Sequence, residues 1–316
     1  MKMAYNELKK MAILMAVLLI SGCPISRKHY CTEEPGSVWE TSSYHYAVFS
    51  PDETFIIFVY DSDPYNLIDN PRKDTQGIYI YDLEDSTFHA VLTGYFTQIP
   101  CPYDLDISPD GEWLVFSMGK AIWKLWLHGD SLVQLTDAGE NFYPRWSPDG
   151  KKIVFHKLLP VDSAGVWLMD SDGKNKRWIL NGIYPDWSPD GEGFLYVGLG
   201  GSVYHADTSG KNIQKILEME DIGAIDHIKM PRYSPNGSKI LFVAQRPHEG
   251  PMVWVMDSDG SNPVPLAAGS DANWSPDGKK IIYASRKVNG LWIMDANGCN
   301  KKPLINDENF LKGGVK

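Results

Sequence analysis

Short apolar runs of six or seven residues recur along the chain, each bounded by turn-forming residues. Val, Ile, Phe and Tyr dominate these runs, and such stretches between Gly, Pro, Asp and Ser are typical of β-strands. After residue 36 no segment predicts a long helix. The six clearest runs are Thr54–Tyr60, Glu112–Met118, Lys151–Lys157, Gly193–Gly198, Ser238–Ala244 and Lys279–Ser285.

A single tetrapeptide, Ser-Pro-Asp-Gly or a close variant of it, precedes every run. A type I turn favours Ser at its first position, Pro at its second and Gly at its fourth, and Gly accepts the positive φ with which the next strand leaves. In the first copy Glu53 stands where the others have Gly, so we expect that turn to be the least regular. The serines are Ser50, Ser108, Ser147, Ser188, Ser234 and Ser275, with spacings of 58, 39, 41, 46 and 41 residues.

Each copy continues with a third strand and a short fourth strand. A period of about 40 residues with four strands is that of a propeller blade. The sequence therefore predicts an all-β fold, a six-bladed β-propeller with four antiparallel strands per blade, over residues 37–316. The residues before three of the serines, Trp146, Trp187 and Trp274, are expected to be buried between blades. The third strands are Ile78–Leu83, Ala121–Leu127, Gly165–Asp170, Val203–Thr208, Met252–Asp257 and Leu291–Asp295.

These repeats also carry a family resemblance. The order Trp-Ser-Pro-Asp-Gly, Lys-Ile-x-Phe and then Trp-x-Met-Asp-Ser-Asp-Gly resembles the WD-like Asp-repeat of the TolB propeller, over about residues 45–306. The copies at Ser147, Ser234 and Ser275 match it almost throughout, and those at Ser50 and Ser108 are degenerate. The resemblance implies the fold and says little about function, since such propellers have many roles. TolB itself has an α/β domain before its propeller, which we do not expect here, so its own role is not carried over.

The first 22 residues are typical of an export signal. Three lysines form a positive region, Met11–Ile20 is an apolar run too short to span a bilayer, and Ser21 and Gly22 precede Cys23. Residues 20–23 resemble the lipobox of bacterial lipoproteins, which implies that Cys23 is acylated and becomes the N-terminus. An ordinary cleaved secretory signal is the alternative. Residues 23–36 would then be a lipidated tether, and the expected location is the bacterial cell envelope, on its periplasmic side or at the cell surface.

The charge of the chain argues against one class of partner. Hydrophobic residues make up 43% of the sequence, which suits a chain with a large core, and the formal net charge is −10. An acidic surface repels the phosphate backbone of nucleic acids. We therefore expect no nucleic acid partner.

The sequence lacks recognisable catalytic motifs. It has no Gly-x-Ser-x-Gly elbow, no His-Glu-x-x-His pair and no Gly-rich phosphate loop, and its eight histidines are scattered without metal-ligand spacing. The segments Asp170–Gly173 and Asp257–Gly260 lack the central Gly and the distal Glu of a calcium loop and predict tight turns. We therefore expect no enzymatic activity, no metal site and no cofactor.

Three cysteines remain if Cys23 is acylated, in a compartment where disulfides persist. The chain after Cys31 must enter the first blade beside the last blade, whose final turn carries Cys299. The favoured pair is therefore Cys31 with Cys299, which leaves Cys101 unpaired. Three free thiols are the alternative.

The strand before each serine is expected to be the innermost one, so equivalent positions meet around the propeller axis. Two residues before the serine, Asp106, Arg145, Asp186 and Arg232 alternate in sign, which predicts ion pairs between blades, with ligand recognition as the second interpretation. Four residues before the serine lies an amphipathic ring, which predicts a binding rim at the mouth of the funnel. The alternative is that its tyrosines only pack between blades. The rim residues are Tyr46, Asp104, Tyr143, Tyr184, Met230 and Asp271.

Three functions are compatible with these features. The anchor and the rim favour a lipid-anchored envelope scaffold that binds a protein or peptide at the funnel. A carbohydrate-active enzyme, such as a glycan hydrolase or lyase, would need convergent titratable groups, for which Asp104 and Asp271 are a thin basis. A small-ligand or metal-binding sensor would need a deep polar pocket lined by Asp104, Asp271 and His45.

Overall fold

A computed structural model describes residues 44–61, 76–93, 102–137, 139–224, 228–285 and 288–312. The predictions for the signal of residues 1–22, for the tether of residues 23–36 and for Cys23, Cys31 and Cys101 lie outside the described residues. Among the described residues, none of the helices has the length and apolar character that crossing a membrane requires.

The first four sheets each contain four antiparallel strands that pair in the order of the chain. The apolar runs of the sequence form the second strands, which are buried on both faces and therefore show no alternation of polar residues. The strands of these sheets are β1 (Tyr44–Phe49), β2 (Phe55–Tyr60), β3 (Gly77–Asp82) and β4 (Phe88–Thr93); β5 (Tyr103–Ile107), β6 (Trp113–Met118), β7 (Ala121–Trp126) and β8 (Leu132–Gln134); β9 (Asn141–Trp146), β10 (Lys152–Lys157), β11 (Gly165–Asp170) and β12 (Arg177–Leu180); and β13 (Ile183–Trp187), β14 (Gly193–Val197), β15 (Val203–Asp207) and β16 (Gln214–Leu217).

The remaining strands form one seven-stranded sheet instead of separate four-stranded ones. Its long strand β20 pairs with β19 through its first half and with β21 through its second half. The small residues of the Ala-Ala-Gly-Ser segment let the chain pass from one sheet to the next without a turn. The strands are β17 (Lys229–Tyr233), β18 (Lys239–Arg246), β19 (Gly250–Asp257), β20 (Val264–Trp274), β21 (Lys280–Ser285), β22 (Gly290–Asp295) and β23 (Lys302–Ile305); two 3-10 turns span Val161–Ser163 and Met219–Ile222, and helix α1 (Asp307–Lys312) ends the described chain.

The Ser-Pro-Asp-Gly turns share one geometry. In the third copy the Gly150 N–H donates to the Ser147 carbonyl at 2.9 Å, the Lys152 N–H donates to Ser147 Oγ at 2.9 Å, and Ser147 Oγ donates to Asp149 Oδ1 at 2.7 Å. Serine is suited to this position because its hydroxyl satisfies the first backbone donor of the next strand. The glycines at the fourth position have φ between 69° and 77°.

The first turn keeps the same backbone hydrogen bond, with Glu53 at a φ below the range of the five turn glycines. The φ of Glu53 is 59°, and its N–H donates to the Ser50 carbonyl at 3.0 Å. The Glu53 side chain reaches the turn of the last copy, where Oε1 accepts the Asp277 N–H at 2.7 Å. This contact offsets part of the strain that a positive φ causes in a residue other than glycine.

Consecutive turns lie side by side on one face of the molecule. A Cβ added to Gly111 would lie 3.7 Å from Pro51 Cδ, and one added to Gly150 would lie 3.7 Å from Pro109 Cδ, so each turn glycine faces the proline of the preceding copy. The contact between Glu53 and the last turn completes the series. The first and last sheets therefore meet, and β1 contacts β20 and β21.

The apolar core lies between neighbouring sheets. Trp187 packs against β10 and β11 of the preceding sheet, and its Nε1 donates to the Arg145 carbonyl at 3.2 Å. Trp274 Nε1 makes the same contact with the Arg232 carbonyl at 3.4 Å. Trp146, Trp187 and Trp274 are each only 7% exposed. Their predicted burial between blades is confirmed.

Helix α1 returns from the last sheet to the first. Phe310 is 2% exposed and lies among the rings of five aromatic residues of β1–β4, at centroid distances of 4.7 to 5.8 Å. Tyr44 OH donates to Asp307 Oδ1 at 2.9 Å. A helix of this length has little stability of its own. Its position is therefore set by these contacts with the first sheet.

Two substitutions at Glu53 separate the contribution of its contact with Asp277 from that of its backbone conformation. Glu53→Ala should lower the free energy of unfolding by about 1 kcal/mol, because it removes the bond to the Asp277 N–H and keeps the unfavourable φ. Glu53→Gly loses the same bond but relieves the backbone, so its stability should stay within about 0.5 kcal/mol of the parent. Urea denaturation measures both, and equal losses in the two variants would contradict this account.

Candidate functional site

The six rim residues share an unusual backbone conformation. Each lies where the innermost strand slips in register against its neighbour, as in the shift between His45 and Val48. Such bulges redirect a side chain, and a positive φ outside glycine costs about 1–3 kcal/mol unless the surroundings enforce it. The φ values are 53° for Tyr46, 61° for Asp104, 51° for Tyr143, 53° for Tyr184, 48° for Met230 and 51° for Asp271.

The bulges bring rim residues from different sheets into contact. The rings of Tyr143 and Tyr184 meet edge to face at a centroid distance of 4.5 Å. Asp104 Oδ2 accepts the Tyr143 N–H at 3.3 Å. Asp271 Oδ2 lies 3.2 Å from His45 Nδ1, which joins the last inner strand to the first. These residues therefore converge at the end of the inner strands that is remote from the Ser-Pro-Asp-Gly turns.

The rim is more closed than the sequence suggested. Asp104 is 0% exposed, Tyr184 4% and Met230 8%, whereas Tyr46, Tyr143 and Asp271 are partly exposed. Tyr184 and Met230 belong to an apolar cluster between sheets. The Tyr184 side chain is therefore part of the core, as expected if the rim tyrosines pack between blades.

The four charged residues Asp106, Arg145, Asp186 and Arg232, here the charged quartet, lie one step deeper. Arg145 Nε and Arg232 Nη1 both lie 3.8 Å from Asp186 Oδ1. The other oxygen of Asp186 accepts the Tyr233 N–H at 3.2 Å, and Asp106 Oδ2 accepts the Trp146 N–H at 2.7 Å. Both aspartates thus bridge to the backbone of the following sheet as well as facing arginines, which orients adjacent inner strands.

Burial controls the ionisation of this region. Desolvation raises the pKa of Asp104 to about 7 and that of Asp186 to about 6. It lowers the pKa of His156 to about 3 and raises the pKa of the Tyr46 and Tyr143 hydroxyls well above their ordinary value. At neutral pH the imidazole is therefore uncharged and both phenols are protonated. The Asp104 carboxyl is the rim group whose charge changes near pH 7.

A narrow crevice opens beside the rim. Tyr143, Tyr184 and Met230 line it together with both arginines and Asp186 of the charged quartet. It encloses no space that a water molecule could occupy, so it is not a ligand pocket in this conformation.

Sequence reasoning missed several aromatic neighbours of the rim. His156 is fully buried, its Nδ1 accepts the Tyr184 N–H at 3.0 Å, and its ring stacks on Tyr143 at 5.1 Å. Tyr103 and Phe142 stack at 5.7 Å. Aromatic residues directly before rim positions were a usable signal for Tyr103 and Phe142. No comparable signal existed for His156, which lies on the second strand of its sheet.

The remaining sequence predictions concern metal sites, tight turns and cysteines. Among the described residues no group of three or more His, Cys, Asp or Glu side chains could hold a metal ion. Asp170 and Asp257 lie in turns in which Gly173 and Gly260 donate to their carbonyls, as predicted. Cys299 is exposed, and its pairing with Cys31 stays a prediction, as do the roles of the rim and the charged quartet.

Solved structures share this architecture. A protein assigned as TolB from Agrobacterium tumefaciens has a TM-score of 0.58 and 23% identity, over 69% of this chain and 84% of that one. TolB from Acinetobacter baumannii has a TM-score of 0.63 and 19% identity, over 82% and 62% of the two chains. An oligogalacturonate lyase from Vibrio parahaemolyticus has a TM-score of 0.53 and 15% identity, over 79% and 76%. At these identities the likeness shows the fold alone.

The sheets, the inner strands and these similarities define a β-propeller. More narrowly, the fold is that of the TolB-type propeller, as the repeat motif implied. No family model matches the chain. An uncharacterized protein of Agrobacterium fabrum is 26% identical over 190 residues, which cover 56% of this chain and 64% of that protein. The chain thus spans less than two thirds of the length of this relative.

Proposed function

We propose that the chain is a lipid-anchored scaffold of the bacterial cell envelope that binds a protein or peptide at the rim. The observation that carries the proposal is the convergence of partly exposed aromatic and acidic side chains from separate sheets. Tyr46, Tyr143 and Asp271 come from three different inner strands and meet only in the folded ring. Aromatic and acidic groups on a rigid frame are typical of protein recognition sites.

The proposal includes a six-bladed ring. The contacts between consecutive turns and between the first and last sheets support it, as does strand β20. The first half of β20 completes one set of four strands and its second half begins the next. On this count the seven-stranded sheet is two blades joined by one continuous strand.

The envelope location rests on the lipobox-like sequence before Cys23. The fold shared with TolB proteins is compatible with that location. The lipid would hold the propeller near a membrane surface and raise its effective concentration for partners there.

Replacement of the lipidated residue tests the anchor. Cys23→Ser should release the propeller from washed membranes or leave an uncleaved precursor, because no thiol is then available for acylation. Cell fractionation and mass spectrometry of the N-terminus measure both outcomes. Cys299→Ser is the matched control and should leave membrane association unchanged. A mature chain that starts elsewhere without lipid would refute the anchor.

Truncation at the rim tests the binding site. Tyr143→Ala should weaken the capture of envelope partners more than tenfold, since a buried aromatic contact can contribute about 1.4 kcal/mol or more. Tyr204→Ala, which removes another partly exposed tyrosine on the third strand of its sheet, is the control. Affinity capture from the envelope with quantitative mass spectrometry compares the two. Equal capture by both variants would place the binding site elsewhere.

A carbohydrate-active enzyme is the second candidate. The pKa of Asp104 is raised by burial to about 7, which is suitable for a general acid or base, and an oligogalacturonate lyase shares the fold. Incubation with oligogalacturonate and detection of unsaturated products would decide this point. Activity that disappears in Asp104→Asn would favour the enzyme over the scaffold.

A further inference from the structure

The two carboxylates of the rim have no basic side chain in direct ion-pair contact. Within the described ranges, no lysine or arginine lies within 4 Å of the Asp104 or Asp271 carboxylate, and the group nearest to ion-pair geometry is His45, at 3.2 Å from Asp271. Arg145 and Arg232 of the charged quartet favour the charged form of Asp104 from beyond 4 Å, and both also face Asp186. No lysine or arginine of the described residues therefore contacts either rim carboxylate directly.

One oxygen of the Asp104 carboxyl also lacks a hydrogen-bond donor. Its Oδ2 accepts the Tyr143 N–H at 3.3 Å, but its Oδ1 is buried and has no hydrogen-bond partner among the described residues. Leaving a buried carboxylate oxygen unsatisfied costs about 1–3 kcal/mol or more. Native structures satisfy most such atoms, so an orphan at a strained position calls for an explanation by function.

Aromatic rings enclose the same space. Tyr46 and Tyr143 are partly exposed, and besides burial the nearby carboxylates of Asp104 and Asp271 raise the pKa of both phenols. Tyr184 closes one side through its edge-to-face contact with Tyr143. Aromatic faces beside carboxylates are a typical environment for ammonium and guanidinium groups.

We infer that the rim accepts one lysine or arginine side chain of the bound protein or peptide, which donates to Asp104 Oδ1 and pairs with Asp271. The inference rests on the proposed function and adds the chemistry of the partner. The other members of the site are Tyr46 and Tyr143, whose rings would lie against the aliphatic stem and the charged head.

The experiment uses short random peptides displayed on phage and selected against the purified full chain. Each selected peptide is synthesised together with a neutral analogue. In the analogue, lysine is replaced by norleucine or arginine by citrulline, so that the side chain keeps its size and loses its charge. Affinities are measured for the parent chain, for Asp104→Asn and Asp271→Asn, and for Tyr143→Ala. Asp162→Asn is the control, since Asp162 is exposed in the loop between β10 and β11, at the same end of the strands as the rim.

We expect selected peptides to share one lysine or arginine whose neutral analogue binds at least about tenfold more weakly. That difference should shrink to less than about threefold in Asp104→Asn and persist in Asp162→Asn. If Tyr143→Ala lowers the affinity for the peptides but the neutral analogues bind the parent chain as tightly as the charged peptides do, the inferred cation contact is wrong and the binding site stands. If no peptide is sensitive to Tyr143→Ala, the proposed site fails and the inference fails with it.

Discussion

Phe310→Ala should lower the free energy of unfolding by about 3–5 kcal/mol, the range for removing a large aromatic side chain from a core. The ring lies among Tyr44, Phe58, Tyr60, Tyr79 and Phe88, and it is the contact by which the chain end covers the first sheet. Its loss should also free helix α1, because a six-residue helix is unstable without packing. Chemical denaturation measures the first effect, and limited proteolysis of the C-terminal residues measures the second.

Phe310→Leu provides the matched control. It keeps an apolar side chain in the aromatic cluster and should cost less than about 2 kcal/mol, with the helix still protected from protease. A loss below about 1 kcal/mol in Phe310→Ala would be the effect of a surface residue. In that case α1 would contribute nothing to the closure between the last and first sheets.

Asp104→Asn should stabilise the protein clearly more at pH 8 than at pH 5. Burial raises the pKa of Asp104 to about 7 in the folded chain, against 3.8 for the group in water. Between these values the folded state holds a proton that the unfolded state has lost, so wild-type stability falls as the pH rises toward 7. Asparagine does not titrate and avoids this loss.

The size of the effect follows from the pKa difference. A pKa difference of about three units corresponds to about 4 kcal/mol in total, and more than about 1 kcal/mol of this is already lost at pH 5. The advantage of Asp104→Asn should therefore grow by about 2–3 kcal/mol between pH 5 and pH 8. Other buried acids such as Asp186 are present in both proteins and cancel in the comparison. The exposed Asp162→Asn should stay within about 0.5 kcal/mol of wild type at both pH values. An advantage for Asp104→Asn that is independent of pH would show that the carboxyl is already charged at pH 5.

The two predictions concern residues that differ in how visible they were in the sequence. Asp104 occupies a fixed offset from a repeated serine, so the repeat alone placed it on an inner strand beside the axis. Phe310 lies beyond the last repeat and has no counterpart in the other copies. Its aromatic partners are separated from it by more than 220 residues, and nothing local in the sequence indicates a contact over that distance.

The repeats left two features undetermined. They indicated that the first turn is less regular than the others, but not that Glu53 adopts a left-handed conformation and contacts Asp277 of the last turn. They also left open whether the rim tyrosines face a partner or pack between blades. The burial of Tyr184 and Met230 depends on how closely neighbouring inner strands approach each other. The position of a residue relative to the repeated serine does not give that distance.

By itself the sequence determined the turns, the strands and the order in which they pair, because these depend on local residue preferences and on patterns repeated along the chain. It also determined which residues share equivalent places in the repeats. Only the tertiary structure decided that each rim residue bulges at a positive φ, that His156 supports the rim from a second strand, and that one oxygen of Asp104 is left without a donor. These features arise where residues from different sheets compete for the same volume near the axis, and that competition exists only once the ring has closed.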